Sequence, residues 1–384
     1  MNVNASVGFS GTGGNIDIFG GGLGEHTSTT GDVEVFINSG DLYGDVYGGS
    51  ALGSVNDADD QTTVTLTGGT IHGDLYGGGL GDNDNAAAVN GAVQVNVNGG
   101  TVTNVFGCNN VNGAPQSTVQ VNINETNPNT MFVTDVYGGG NHAAYSGSPD
   151  VNIINGTVSG NVYGGGNDIT TANAGILNSD VVMTGGTVLG GIYGGCNLNG
   201  TVTGISEVNI LGGVIGSQDL LNARTTANVF GGGLGENTQV NGDVTVTISR
   251  ASGNNAPAAP TIYGDVYGGS ALGNVNTENG SYTTTVNILD GILKSNPEQC
   301  LIPGTTDRYY YIYHGGNVYG GGLGRKADSE HSVTAVEAKV FGAVTVNIGS
   351  GTVQPSGDEY AGYTTTPNTG NATICGNVYG CNNA

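Results

Sequence analysis

Apolar positions along this chain fall in short alternating runs, not at helical spacing. Val35, Val64, Val95, Val121, Val151, Val181, Val208, Val246, Val286 and Val346 each have an Ile, Leu, Val or Met two residues later, from Ile37 to Ile348. The residue between is usually polar, as in Thr65, Asn96, Asn122, Asn152, Asn209 and Asn347. Period-two alternation over a β-branched segment predicts a half-buried strand. A Gly turn follows, then a second short apolar pair such as Thr70-Ile71, Thr157-Val158 or Thr187-Val188.

A third strand closes each unit. It ends in an aromatic followed by Gly, from Phe19-Gly20 and Tyr47-Gly48 through Tyr319-Gly320 to Tyr379-Gly380, eleven times in all. Two residues before the aromatic stands Asp or Asn (Asp17, Asp45, Asp74, Asn104 and so on), with Gly191 the exception. Asp and Asn bend a chain at low cost because their side chains bond nearby backbone. The aromatics recur every 26 to 31 residues over the first seven copies, then at 37, 37, 52 and 60. One such unit cannot bury its own apolar face, so the repeat predicts stacking at roughly 4.8 Å per rung. The expected fold is all-β, a single-chain parallel β-helix (β-solenoid) of about 11 rungs, right-handed as such crossovers are, and roughly 50 Å tall. Val and Ile then form interior ladders, the aromatics a stack, and the Asp/Asn column a side-chain ladder along the bend.

Composition supports this and narrows the function. Glycine fills 74 of 384 positions, which suits tight corners and excludes a helical bundle. Seven Lys and Arg stand against 31 Asp and Glu, a formal charge of −24, and the first basic residue is Arg224. Nucleic-acid binding by counterion release is therefore excluded. No apolar run is long enough to span a membrane. The start, Met1 to Gly14, lacks a signal-peptide pattern, and the end follows a repeat motif directly. Residues 1–384 are accordingly expected to be one solenoid cut from a longer chain, with flanking repeats of that chain as neighbours.

Few residues announce chemistry. The Gly-rich loops lack the strand-loop-helix context and Lys of a phosphate cradle. Gly78-Gly79-Leu80-Gly81-Asp82-Asn83 lacks the Asp placement and nine-residue period of calcium-binding repeats. The five His share no column, and rungs one to seven hold no Lys or Arg to neutralise a uronate. Paired Thr rows of the kind that bind ice are isolated. The chain is therefore expected not to be an enzyme and to need no organic cofactor. Two constellations stand out. Asp150, Asp180 and Glu207 occupy one strand position in consecutive rungs, so they either splay into water or hold a cation such as calcium. The other lies in the late insertions, 289–316 and 349–376: from column valine to aromatic an early rung takes 12 residues (Val64 to Tyr76), but the last two take 33 (Val286 to Tyr319, Val346 to Tyr379). The first contains Tyr309-Tyr310-Tyr311, candidate partner-contact residues. Cys300 and Cys375 fall one in each and are a candidate disulfide in an oxidising exterior. Both excesses are expected on one side, as a single lobe.

At the columns Val-x-Ile, Gly-Gly-Thr-Val and Gly-Asn-Val-Tyr-Gly-Gly the chain resembles the Gly-rich repeat passengers of bacterial surface proteins, the autotransporter- and haemagglutinin-like adhesins. The resemblance is architectural and carries over no functional residues. It implies an extracellular or cell-surface rod that acts as a scaffold and presents loops to a glycan or a host or cell-surface protein. The alternative is a carbohydrate-binding or carbohydrate-processing β-helix, phage-fibre-like proteins included.

Overall fold

The computed structural model describes the chain except residues 171–174, 218–226, 253–255, 302, 304–305, 307, 350–363, 366–370 and 382–384. Among the described residues there is no helix. The Val-x-Ile segments form an eleven-stranded parallel sheet, from Asn2–Val3 and Val33–Ile37 through Pro149–Asn155 to Ala343–Ile348. Register is held rung on rung: Val121 faces Val151, Val151 faces Val181 and Val181 faces Val208. From Val35 and Ile37 to Val286 and Ile288 these column side chains lie at 0% exposure, in one continuous aliphatic core. Pairing every strand with its copy above and below satisfies the backbone that this burial removes from water.

A second parallel sheet of nineteen strands holds both short segments of each rung. In most rungs they are separate two-residue strands at a corner, such as Thr157–Val158 and Val162–Tyr163. In two consecutive rungs Gly100–Phe106 and Met131–Tyr137 run straight through, which joins the two columns into one sheet. A third face was not foreseen. After the Gly-rich loop, short parallel strands stack again as Ser28–Thr29, Ser54–Val55 and Ala88–Val89, and later as Asn199–Val202, Asn237–Val240 and Asn274–Val275. What reads as a loop in one repeat becomes a strand once its copies lie above and below.

The aromatic strand buries both of its faces. Val162 points into the aliphatic core, while Tyr163 belongs to a separate cluster on the other side of the strand. All eleven aromatics, Phe19 to Tyr379, stack in sequence with centroids 4.6 to 5.0 Å apart and rings within 14° of parallel. Leu80, Leu234, Leu272 and Leu323 of the Gly-rich loops pack against the stack from outside. The glycine after each aromatic from Phe19 to Tyr319 is required by this close approach. A Cβ on Gly164 would stand 2.6 Å from the Gly194 carbonyl oxygen of the next rung.

The two late insertions leave at different corners, which corrects the single-lobe expectation. In the first, Ile292–Leu293 is still a rung strand, so the excess begins after it, between the two short strands. It rises as an antiparallel hairpin of Asn296–Leu301 and Tyr309–His314. In the second, the excess precedes Thr373–Ile374, so it leaves one corner earlier. Its described part, Thr364–Thr365, pairs antiparallel with Ala251–Ser252 on the flank two rungs back.

Candidate functional site

The polar groups that could carry chemistry are best followed as ladders. At the bend, each side-chain Oδ1 accepts the backbone N–H of the next rung. Asp17 accepts from Asp45, Asp45 from Asp74, Asp135 from Asn161, Asn228 from Asp265, and Asn317 from Asn377, at 2.6 to 2.9 Å. This is why the column tolerates Asp and Asn alike: both offer that oxygen. Gly191 breaks the column because a Cβ there would meet the Tyr193 hydroxyl end at 2.8 Å. In some of the Asp rungs the second carboxylate oxygen accepts a phenol two positions on, Tyr47 onto Asp45 at 2.9 Å, Tyr267 onto Asp265 at 3.2 Å and Tyr76 onto Asp74 at 3.4 Å.

A second ladder lies over the phenols. Asn110, Asn141, Asn167 and Asn197, each four residues after an aromatic, pass hydrogen bonds from Nδ2 to the Oδ1 of the rung before, at 2.8 to 3.1 Å. Asn110 also donates to the Tyr47 hydroxyl at 2.8 Å and Asn197 to that of Tyr137 at 3.2 Å, each reaching back two rungs. On the outer face of the long sheet Gln94–Gln120, Asn96–Asn122–Asn152 and Asn287–Asn347 repeat the device.

Burial sets the ionisation of these groups. Desolvation holds the Asp74 and Asp135 carboxyls above the usual range and is the first cause for each. It also pushes the phenols up, Tyr193 and Tyr319 to about 12 and Tyr47, Tyr76 and Tyr163 further. The buried thiols of Cys108 and Cys196 are raised likewise, Cys196 to about 11, so neither is a ready nucleophile. The acidic loops are tied to themselves. Asp60 accepts the N–H groups of Gly31 and Asp57, and Asp82 those of Asp84 and Asn85.

The acidic trio stands in register as the spacing required, Asp150 opposite Asp180 and Asp180 opposite Glu207. Yet among the described residues no group of three or more His, Cys, Asp or Glu is disposed to hold a metal ion. Side chains on one face of neighbouring parallel strands stack at the strand spacing and point the same way, so a cage does not form. Tyr309, Tyr310 and Tyr311 lie on the hairpin strand, with Tyr310 opposite Cys300. Their side chains, and that of Cys300, fall outside the described residues. Cys375 is a free, exposed thiol, so the Cys300–Cys375 bridge is not formed in this structure. His72, unremarkable in the sequence, stacks on Tyr43 at 4.4 Å with Nε2 3.2 Å from Asp41.

No protein-family model, no curated protein and no solved structure matches this chain.

Proposed function

We propose that this protein is a non-catalytic structural or adhesive rod, extracellular or at the cell surface, that presents polar ladders and loops to a glycan or a cell-surface protein. One observation carries the reading: carboxylates and phenols that a reaction would recruit are tied up in rung-to-rung ladders. Asp45, Tyr47 and Asn110 form one connected set, and parts of it recur along the column, as in Tyr76 onto Asp74, Tyr267 onto Asp265 and Asn197 onto Tyr137. Such repetition stiffens a rod and leaves contact to what differs between rungs. The hairpin of 296–314 is a part that differs.

The alternative reading, a carbohydrate-binding or carbohydrate-processing β-helix, is favoured by the stacked Tyr43–His72 pair beside Asp41, which offers an aromatic platform next to a carboxylate. A labelled rod applied to a glycan array and to whole cells tests both. The scaffold reading expects retention that falls when residues 296–314 are replaced by a short turn, with every polysaccharide left intact. Release of reducing ends or unsaturated uronates overturns it.

A further inference from the structure

One face of the second sheet differs from the rest of the surface. Two outward columns climb it in register, one from Asp41 to Ile292 and the other from Tyr43 to Lys294. The chain carries 31 Asp and Glu, yet above Asp41 and below Lys294 neither column holds an Asp, Glu, Lys or Arg. Hydroxyls fill much of it instead, among them Thr70, Thr101, Thr103, Thr134, Thr157 and Thr187. Elsewhere the polar side chains are spent on their neighbours in ladders. Among the described residues these six hydroxyls make no hydrogen bond within the chain.

Three aromatic rings punctuate this uncharged strip. Phe132 stands in the threonine column, 62% exposed, where it serves neither core. It lies three rungs above Tyr43 and four below Tyr263, about 14 and 19 Å along the rod. The two tyrosines are built alike. Tyr43–Asn56 and Tyr263–Asn276 agree at 13 of 14 positions, and their aromatics Tyr47 and Tyr267 are seven rungs apart. One rung below each corner tyrosine the column holds a glycine with left-handed backbone, Gly8 and Gly216. One rung above stands a side chain with N–H donors. His72 stacks on Tyr43 at 4.4 Å, and Lys294 Nζ lies 5.0 Å over the Tyr263 ring and 3.2 Å from its hydroxyl. The same arrangement is thus set twice on one face, with Phe132 between.

We propose that this strip binds a neutral, linear polysaccharide laid along the rod. A sugar ring offers an apolar C–H face and a rim of hydroxyls. The faces fit Tyr43, Phe132 and Tyr263, and the rims fit the threonine rows and the nitrogens of His72 and Lys294. Rings set along a straight axis select a linear chain. A strip without fixed charge, on a rod of formal charge −24, selects against a polyanion. Contacts that are each weak gain from being joined on one polymer, because the later ones form at high effective concentration. This site rests on the reading of a glycan as partner, and it lies on the sheet and not on the hairpin of 296–314.

Affinity electrophoresis of the 384-residue chain tests it, in native gels containing a soluble β-glucan, arabinoxylan, galactomannan or dextran, with alginate as the polyanion. The expected result is retardation by at least one neutral polymer and none by alginate. Oligomers of that polymer should bind more tightly with length until one spans the roughly 34 Å from Tyr43 to Tyr263. Phe132→Ala, at an exposed ring, keeps the parent melting temperature and weakens binding roughly tenfold; Tyr43→Ala with Tyr263→Ala weakens it further. A rod whose residues 296–314 are replaced by a short turn should bind the polymer as the parent does. Retardation by no neutral polymer, or by alginate alone, overturns the strip, and so do variants that bind like the parent. Binding lost with the hairpin also overturns it, but leaves the glycan reading standing with its contact elsewhere. Cell retention that falls in Phe132→Ala while no polysaccharide binds would assign the strip to a protein and overturn the saccharide.

Discussion

Val162 and Tyr163 are neighbours in a two-residue strand, and each is buried on its own side of it. The valine side is an aliphatic interior of Val, Ile, Leu and Met in continuous ladders. The tyrosine side is an aromatic column with a polar rim, roofed by glycine loops and tied by hydroxyls such as that of Tyr47 to Asp45 of its own rung and to Asn110 two rungs above. The comparison shows how so short a strand is made stable. It is a floor for one core and a wall for another, so neither face is left in water. It also shows why glycine follows at once: with both sides filled, the chain must turn where the next rung already presses.

Val151→Asp attacks the aliphatic side and should have the largest effect. It leaves an unpaired charge in a column exposed by 0% and should cost at least about 3 kcal/mol in a chemical denaturation series. A melting temperature within a degree or two of the parent would show that the column is not an interior. Gly164→Ala attacks the junction between the two cores. Its Cβ would fall 2.6 Å from the Gly194 oxygen, and overpacking of that kind costs about 1–3 kcal/mol in the same assay.

Tyr137→Phe sharpens the comparison on the aromatic side. Phe106 and Phe230 already occupy the column, so the ring is kept and only the 3.2 Å bond from Asn197 is lost. The expected cost is about 1 kcal/mol or less, read as a small loss of melting temperature. A loss as large as that of Val151→Asp would mean that the hydroxyl rim, not the stacked ring, holds this core together.

The smallest effect concerns Asp74. Burial raises its folded pKa above the ordinary 3.8, so the folded state holds the proton more tightly than the unfolded one. Stability from this group is therefore full below the unfolded pKa and is lost as pH rises through the folded pKa. Asp74→Asn keeps an oxygen for the ladder and removes the charge. It should stabilise at neutral pH by less than about 1 kcal/mol, because the group is partly in water, and the gain should vanish near pH 3.8. Melting curves of both proteins at the two pH values check it. A stabilisation that persists at the lower pH would assign the effect to something other than ionisation.

The aliphatic side was the more legible of the two. Val-x-Ile repeats at period two, and a single register brings Val121, Val151, Val181 and Val208 together without further information. The Asp/Asn bend was readable for the same reason, since the amide and the carboxylate share the oxygen used. The Asn110–Asn197 ladder was missed although its signal was present: a fixed offset of four from the aromatic, in four consecutive rungs. Its rungs are flanked by others with Leu or Ala at that offset, so no single chemical rule covers the column. The third face was hidden because two-residue strands have no period of their own and are defined by their neighbours. The register of the acidic trio was legible, with Asp150 opposite Asp180 and Asp180 opposite Glu207, but the choice between splaying into water and holding a cation was not. Spacing along a chain tells which side chains stack, not whether they converge. The corner of each insertion was likewise hidden: an interval of 33 residues fixes how much extra chain there is, not where along the rung it departs.

The rung-to-rung hydrogen bonds run along the rod, so tension applied between the two ends of the chain opens them one rung at a time, like a zipper and not a rope. Each early rung frees 26 to 31 residues of hidden length, and the last two intervals free 52 and 60. At about 3.4 Å per extended residue, an early release lengthens the chain by roughly 100 Å and a late one by about twice that. A single molecule held between a bead and a surface would yield in steps, each returning the chain to low load before the next rung bears it. Under such a load the step sizes would follow the repeat spacings.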